Sequence, residues 1–408
     1  MPKLKISVLI SVIFLMSIVV YGAVGFSQTP QPTVRLTTDP AISSSNPQGG
    51  AQLVPFEAEA TTYQPPARLT LQAMDASGQP LENAHIHLQI FTPPKTPWFT
   101  TDFPIVEGTT LLEIDTMAPK GELTLQQVFP IRGTYRLLAK VTPQTANAFA
   151  PFEQTLTLSI PENWVKYQNF AVLVAILLAV GIGGGWIIGG RQPIQPGEIA
   201  PQPVRLLLSG AIGVAIVALL FVNVSAEMAQ SGMSMPMSHM SKAAPSADQP
   251  SRIQSQGLEL LLSGDTSATV GKLAQFQVNA IDLNTNQPVQ DLILNLKATQ
   301  LENNWVAFAY QGVSDAAGTL TWQQQFFDGA PHKIEVEVAP APNSIRTFQP
   351  FAVAHTIEVE GVAPPLLVRL ISLSYLVGVV GAGLALGLML RRQRTRLARH
   401  QTAHSVRI

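Results

Sequence analysis

Four apolar runs divide this chain of 408 residues, at about Ile6–Phe26, Phe170–Gly190, Val204–Val224 and Leu366–Leu390. Each is close to the ~20 residues that a helix needs to cross a ~30 Å hydrocarbon layer. Charge is absent from the middle of every run and gathers at particular ends. Lys3 and Lys5 precede the first, Arg191 and Arg205 flank the turn between the second and third, and Arg391, Arg392, Arg394, Arg396 and Arg399 follow the fourth. Basic residues stay on the cytoplasmic side. Setting all of them there puts both ends of the chain inside and sends residues 27–169 and 225–365 outside, with no span left over. A charge-free middle speaks for packed anchors rather than a transport path. Gly181, Gly185 and Gly189 in the second run, and Gly383 and Gly387 in the fourth, sit at the spacing that lets two membrane helices approach closely.

The composition agrees with that reading, since 46% of residues are hydrophobic and only 12% charged. A net charge of −1 gives no field to attract nucleic acid. With no cysteine in the chain, disulfides, thiolate metal sites and cysteine nucleophiles are all excluded. The first run follows a basic start and ends in small residues, Ala23-Val24-Gly25, so it is either a cleaved signal peptide or an uncleaved anchor.

The two exterior segments repeat each other. Arg68–Phe91 answers to Ala274–Thr299, each a strand, a turn and a strand; Ala118–Gln144 answers to Ala316–Ala341, sharing a Gly turn, a Gln pair, a Phe and a closing strand. Pro151-Phe152 and Pro350-Phe351 then open a last alternating strand in each, which runs straight into an apolar run. Period-two alternation is clearest in Ala84–Ile90, with Ile86, Leu88 and Ile90 on one face and His85, His87 and Gln89 on the other. Each copy is near the ~100 residues of an immunoglobulin-like fold. The fold class expected is therefore all-β extracytoplasmic domains plus transmembrane α-helices: two immunoglobulin-like β-sandwiches with four membrane spans. Residues 1–27 form the signal peptide or anchor, 28–66 a Pro/Ser/Gln-rich linker, and 67–162 the first sandwich. Spans occupy 168–190 and 204–224, joined by a cytoplasmic loop at 191–203. A flexible tether at 225–253 leads to the second sandwich at 254–362, a span at 366–390 and a basic cytoplasmic tail at 391–408.

Met117-Ala-Pro-Lys-Gly121, a strand, a Phe, then Gly133-Thr-Tyr135 and an alternating strand resemble the small periplasmic domains of the YtkA-like and FixH-like type. The resemblance covers the second half of each exterior copy, and the second copy lacks the Met and the Gly-Thr-Tyr. It implies an immunoglobulin-like fold and a link to copper handling or oxidase assembly.

Chemistry concentrates in the tether. Five of the ten methionines fall there, Met228, Met233, Met235, Met237 and Met240, with His239 among them. A tether has no core for methionine to fill, and thioethers favour Cu(I) while imidazole suits Cu(II). Met233, Met235, Met237, His239 and Met240 are the candidate copper ligands. The alternative is a low-complexity stretch whose methionines are only oxidation sinks. His85 and His87 share one strand face and form a second candidate pair for a metal, against the simpler reading as solvated strand residues. No nucleophile elbow, phosphate loop or zinc helix motif is present in the sequence, so no catalysis is expected. Two functions follow: a copper-binding or copper-delivering protein with a copper-receiving partner, or a non-metal scaffold for a membrane complex. Membrane lipid is a partner in both. The location expected is a bacterial inner membrane or a thylakoid-type membrane.

Overall fold

Alternating side chains set the strands, and a computed structural model shows where they go. It describes residues 31–40, 53–57, 63–190 except 97, 199–212 with 214, and 251–405 except 291, 316, 343 and 345. The first apolar run, most of the third and the methionine-rich segment lie outside these residues.

The first half comprises β1 (Thr33–Asp39), β2 (Ala67–Met74), β3 (Ala84–Phe91), β4 (Thr110–Ala118), β5 (Glu122–Gln127), β6 (Gly133–Pro143) and β7 (Phe152–Ile160), followed by helix α1 (Trp164–Ile188). The second comprises β8 (Ser251–Ser255), β9 (Leu258–Gly264), β10 (Ser267–Thr269), β11 (Leu273–Asp282), β12 (Leu292–Gln300), β13 (Trp305–Val313), β14 (Thr319–Gln325), β15 (His332–Pro340) and β16 (Phe351–Glu360), followed by helix α2 (Leu366–Ser405). Within the first half β1, β2 and β5 pair side by side, and β4, β3, β6 and β7 pair in a second layer. The second half repeats this with β9, β11 and β14 opposite β13, β12, β15 and β16. A three-strand layer on a four-strand layer in this order is immunoglobulin-like.

In β3 every second residue is fully buried, Ile86, Leu88 and Ile90, and each such aliphatic contributes about 1.5–3 kcal/mol. The turns are as repetitive as the strands. Gly121 and Gly318 occupy the same turn in the two halves with φ of 67° and 68°. A methyl on Gly318 would press on the Ala280 carbonyl at 2.8 Å, and one on Gly121 on the carbonyls of Leu81 and Ala73. Only glycine fits such a left-handed, crowded corner. Tyr135, two residues into β6, donates its hydroxyl to the Ile131 carbonyl at 2.7 Å and accepts from the Ile131 N–H at 3.0 Å. This is the tyrosine corner of immunoglobulin-like folds. Burial raises the Tyr135 phenol far above its ordinary range. In the second half His332 takes that place, its ring packed on Phe326 as that of Tyr135 is on Phe129, and it bonds the Ala330 carbonyl at 2.8 Å.

One feature departs from expectation. Residues 33–39, inside the stretch read as a linker, form β1 and pair with β2 along their whole length; Val34, Leu53 and Phe56 of that stretch enter the core. The sequence left open whether the two halves pack together, and here strands of one pair with strands of the other.

Candidate functional site

The seam between the halves follows from edge chemistry. Within its own half, β5 has a neighbour on one side only, and so does β4; each leaves a row of unpaired backbone groups. β5 pairs with β13, and β4 pairs with β14. The first half's three-strand layer therefore continues into the second half's four-strand layer, and its four-strand layer into the second half's three-strand layer. Two long strand rows, β1-β2-β5-β13-β12-β15-β16 and β7-β6-β3-β4-β14-β11-β9-β8, result, with β10 beside β16, and a single pairing of β4 with β13 joins them into one 16-stranded sheet.

The register shows a twofold relation. Leu125 faces Tyr310, Gln126 faces Ala309 and Gln127 faces Phe308. Their counterparts in the repeat, Trp322 with Ile114, Gln323 with Glu113 and Gln324 with Leu112, face each other in the same way. Met117 faces Val313, its own counterpart, which marks the axis. There the Tyr310 hydroxyl bonds the Thr116 hydroxyl and lies against Gly312, where no side chain would fit. Burial pushes the Tyr310 phenol up to about 12. Away from the axis, toward the helices, Phe56 joins the halves by packing its ring 5.0 Å from Trp305 and 5.1 Å from Phe327.

The helices obey the same relation. Both α1 and α2 leave the sandwich from its last strand, so they run parallel, and Gly181 and Gly383 fall equally far along them, as do Gly185 and Gly387. A methyl on Gly181 would overlap the Val380 carbonyl, on Gly185 that of Leu384, on Gly387 that of Ile182, and on Gly383 would lie 2.6 Å from that of Leu178. Backbone meets backbone along this line. Much of the outer surface stays open, with Val172, Ile176, Val180, Leu367 and Val377 more than half exposed, while Leu207 of the third run lies beside Gly184. Both helices are long and apolar enough to cross a membrane. Their lower end carries Arg391 and Arg394 over the Trp186 ring, 5.1 and 5.7 Å from its centre. Arg369 stands in the first turn of α2, at the opposite end from this cluster. Of the third apolar run, residues 202–212 are helical.

His85 and His87 do share the outer face of β3, but each takes a carboxylate from β4: His85 Nε2 lies 3.1 Å from Asp115 and His87 Nε2 3.6 Å from Glu113. Lys140 of β6 pairs across from His87, placing a cation beside it. Among the described residues no group of three or more His, Cys, Asp or Glu is arranged to hold a metal ion. Met233, Met235, Met237, His239 and Met240 lie outside the described residues.

Sequence patterns gave no hint of two further features. A polar trough of about 780 Å³ crosses the seam on the β5–β13 side, lined by Thr70, Gln126, Gln311, Asn295, Lys297 and Glu335 among others. Its signal was spread over five strands from both halves. The other is the connection between β3 and β4, residues 92–109, folded around Glu107. That buried carboxylate accepts from Thr101 N–H at 2.7 Å, Thr101 hydroxyl at 2.8 Å and Thr96 N–H at 3.2 Å.

No family model matches the chain, and no curated protein matches it. The resemblance to YtkA-like and FixH-like domains gains no support there. Among solved structures, the adhesin InvE of Yersinia pseudotuberculosis aligns over 81% of this chain and 61% of its own, at 11% identity and a TM-score of 0.18. Invasin, a bacterial integrin-binding protein, aligns over 81% and 39% at 9% identity and 0.18. MtrC of Shewanella baltica aligns over 82% and 71% at 9% identity and 0.19. The chain thus spans less than two thirds of the length of InvE and of invasin, and at such TM-scores these likenesses carry no argument about it.

Proposed function

We propose that the chain is a membrane-anchored scaffold that holds a twofold-related pair of immunoglobulin-like units on the extracytoplasmic face of a bacterial or thylakoid-type membrane. The observation that carries this reading is the helix pair. Two parallel apolar helices touch through glycines and leave their aliphatic side chains uncovered, which costs free energy in water and none in lipid. Charge supports the sidedness, since Arg391, Arg392 and Arg394 follow the apolar part of α2. Twinned helices and a continuous seam hold the units in one orientation, which suits presentation of faces and edges to a membrane complex.

The chain has no cysteine, so single cysteines report cleanly. A membrane-impermeant maleimide added to intact cells should label Lys120→Cys in the sandwich and leave Arg394→Cys unlabelled until the membrane is opened. Equal labelling of both would end the anchored reading. For the scaffold role, photo-crosslinkers at the β8 edge and in the trough should give one discrete protein adduct in native membranes; adducts to lipid and self alone would reject it.

A second reading rests on residues 228–240, where the methionines and His239 supply soft donors suited to Cu(I). Copper capture there, passed to a receiving protein, predicts tight Cu(I) binding by the full chain that is lost when Met233, Met235, Met237 and Met240 become serine. Equal affinity of both forms would dismiss it.

A further inference from the structure

One departure from the duplication lies beside the helices. Where β12 and β13 are joined by residues 301–304, the matching connection in the first half runs from 92 to 109. This added segment turns toward the helices. Its tip carries Trp98 and Phe99, 66% and 71% exposed. The Phe99 ring stacks on Tyr375 of α2, centroids 5.7 Å apart and planes 2° from parallel, and the Tyr375 hydroxyl donates to the Trp98 carbonyl at 2.7 Å. The tip is held from inside, by the Thr96 hydroxyl donating to the Phe99 carbonyl at 2.7 Å and by the Glu107 carboxylate. It is also tied from outside, by Asp102 pairing with Lys166 of α1 and by a methyl of Ile105 resting against Gly271 of the second half.

The depth of Tyr375 decides what surrounds this tip. Arg391 and Arg392 set the inner border of α2. A hydrocarbon layer of ~30 Å at 1.5 Å per residue takes about 20 residues, which puts the outer border near Ser372. Tyr375 then lies about one turn inside it, and the ring stacked on it lies at that level. Tryptophan and its aromatic neighbours favour this depth, where one edge meets hydrocarbon and the other meets headgroups. Trp164 and Tyr167, in the first turn of α1, are also exposed and supply aromatic side chains near the same border.

Resting on the anchored reading above, we infer that residues 98–103 form a membrane-dipping loop, with Trp98 and Phe99 inserted into the outer leaflet beside α2. This gives the twofold sandwich a third, off-axis attachment. Set to one side of the helix pair, the aromatic loop resists tilting of the sandwich away from the membrane on that side.

The test is site-directed spin labelling of the full chain in liposomes. Single labels at Trp98→Cys, at Ile176→Cys in α1 and at Lys120→Cys at the far turn are compared for collision with oxygen, which enriches in lipid, and with a water-soluble nickel complex. Position 98 should match 176, rich in oxygen collisions and poor in nickel. If 176 is lipid-like while 98 collides with nickel as 120 does, the loop is in water and the inference fails with the anchor intact. Shielding of 98 from both agents means that protein covers the loop, which also overturns it. If 176 itself meets nickel, the anchored reading falls and this one with it. Because the label removes the indole, the native side chain is checked separately. Bromine-labelled acyl chains should quench wild-type tryptophan emission more than that of Trp98→Phe, and equal quenching would refute the insertion.

Discussion

Gly185→Leu is the most direct challenge to the helix pair. The glycine has no room above it, since an added methyl would already overlap the Leu384 carbonyl. Helices with ordinary side chains at their contact sit about 8–10 Å apart, and glycine pairs come closer, so leucine should push the axes apart by roughly 2 Å or more. Separation forfeits the close backbone contacts at Gly181, Gly185, Gly383 and Gly387. Each weak Cα–H to carbonyl contact is worth ~0.5–1 kcal/mol, so the line of four loses on the order of 2–4 kcal/mol. The upper ends stay tethered by β7 and β16, so the displacement should grow toward the lower ends. Nitroxides at Ile188→Cys and Leu390→Cys, counterparts on the two helices, read this distance by electron-electron resonance in lipid. A narrow short distance should lengthen and broaden with Gly185→Leu. An unchanged distribution would show that the sandwich alone sets the helix spacing and that the glycines are incidental.

Further outcomes are expected. Tyr135→Phe leaves the buried N–H and carbonyl of Ile131 without their partner and should cost about 2–3 kcal/mol in denaturant unfolding; a loss under 0.5 kcal/mol would remove the corner from the fold's supports. Gly121→Ala and Gly318→Ala should each lower stability by at least ~1–2 kcal/mol and add when combined, being in separate halves. Burial holds His332 down to about 4 against an ordinary 6.5. The unfolded chain therefore binds this proton first as pH falls, so the contribution of His332 is complete above about pH 6.5 and is lost down to about pH 4, at ~1.4 kcal/mol per unit at most. The wild type should lose more stability than His332→Gln between pH 7 and 4.5, and parallel curves would contradict this. A chain ending at residue 190 keeps β4 and β5 as open edges and should form a dimer through them, seen by sedimentation in detergent; a monomer at all concentrations would refute the seam's self-complementarity.

What the sequence disclosed is local. Alternation in Ala84–Ile90 says which residues face the core, and the structure buries Ile86, Leu88 and Ile90 as that requires. The glycines at 121 and 318 mark turns because only that residue tolerates the backbone there. β1 was hidden because its alternating run, Thr33–Asp39, is short and set among Pro and Ser, and only pairing with β2 makes it a strand. The histidine pair was legible as a pair and not as two histidine–carboxylate contacts, because Asp115 and Glu113 arrive from the next strand at a distance in sequence that no spacing rule covers. Lateral neighbours are the general blind spot: a period of two fixes the face of a strand and says nothing about what lies at its edge.

On the anchored reading proposed above, the edges explain why duplication and anchoring belong together. One immunoglobulin-like unit of this kind exposes β4 and β5 on the same side, and two such units related by a twofold axis cover both pairs at once, since each β5 then meets the other unit's β4-equivalent. That closure is isologous, so it consumes the edges and leaves none to propagate. An axis normal to the membrane is the orientation that lets both units send their last strand into the same bilayer from the same side. The helices then meet in parallel about that axis, as Gly181 with Gly383 and Gly185 with Gly387 do. Covalent linkage of the two copies adds what a symmetric dimer cannot have, namely differences between them. Residues 92–109, the tyrosine corner at Tyr135 and the His332 substitute for it each occur in one half only. A symmetric frame supplies the stability, and the departures from symmetry give the molecule a front and a back.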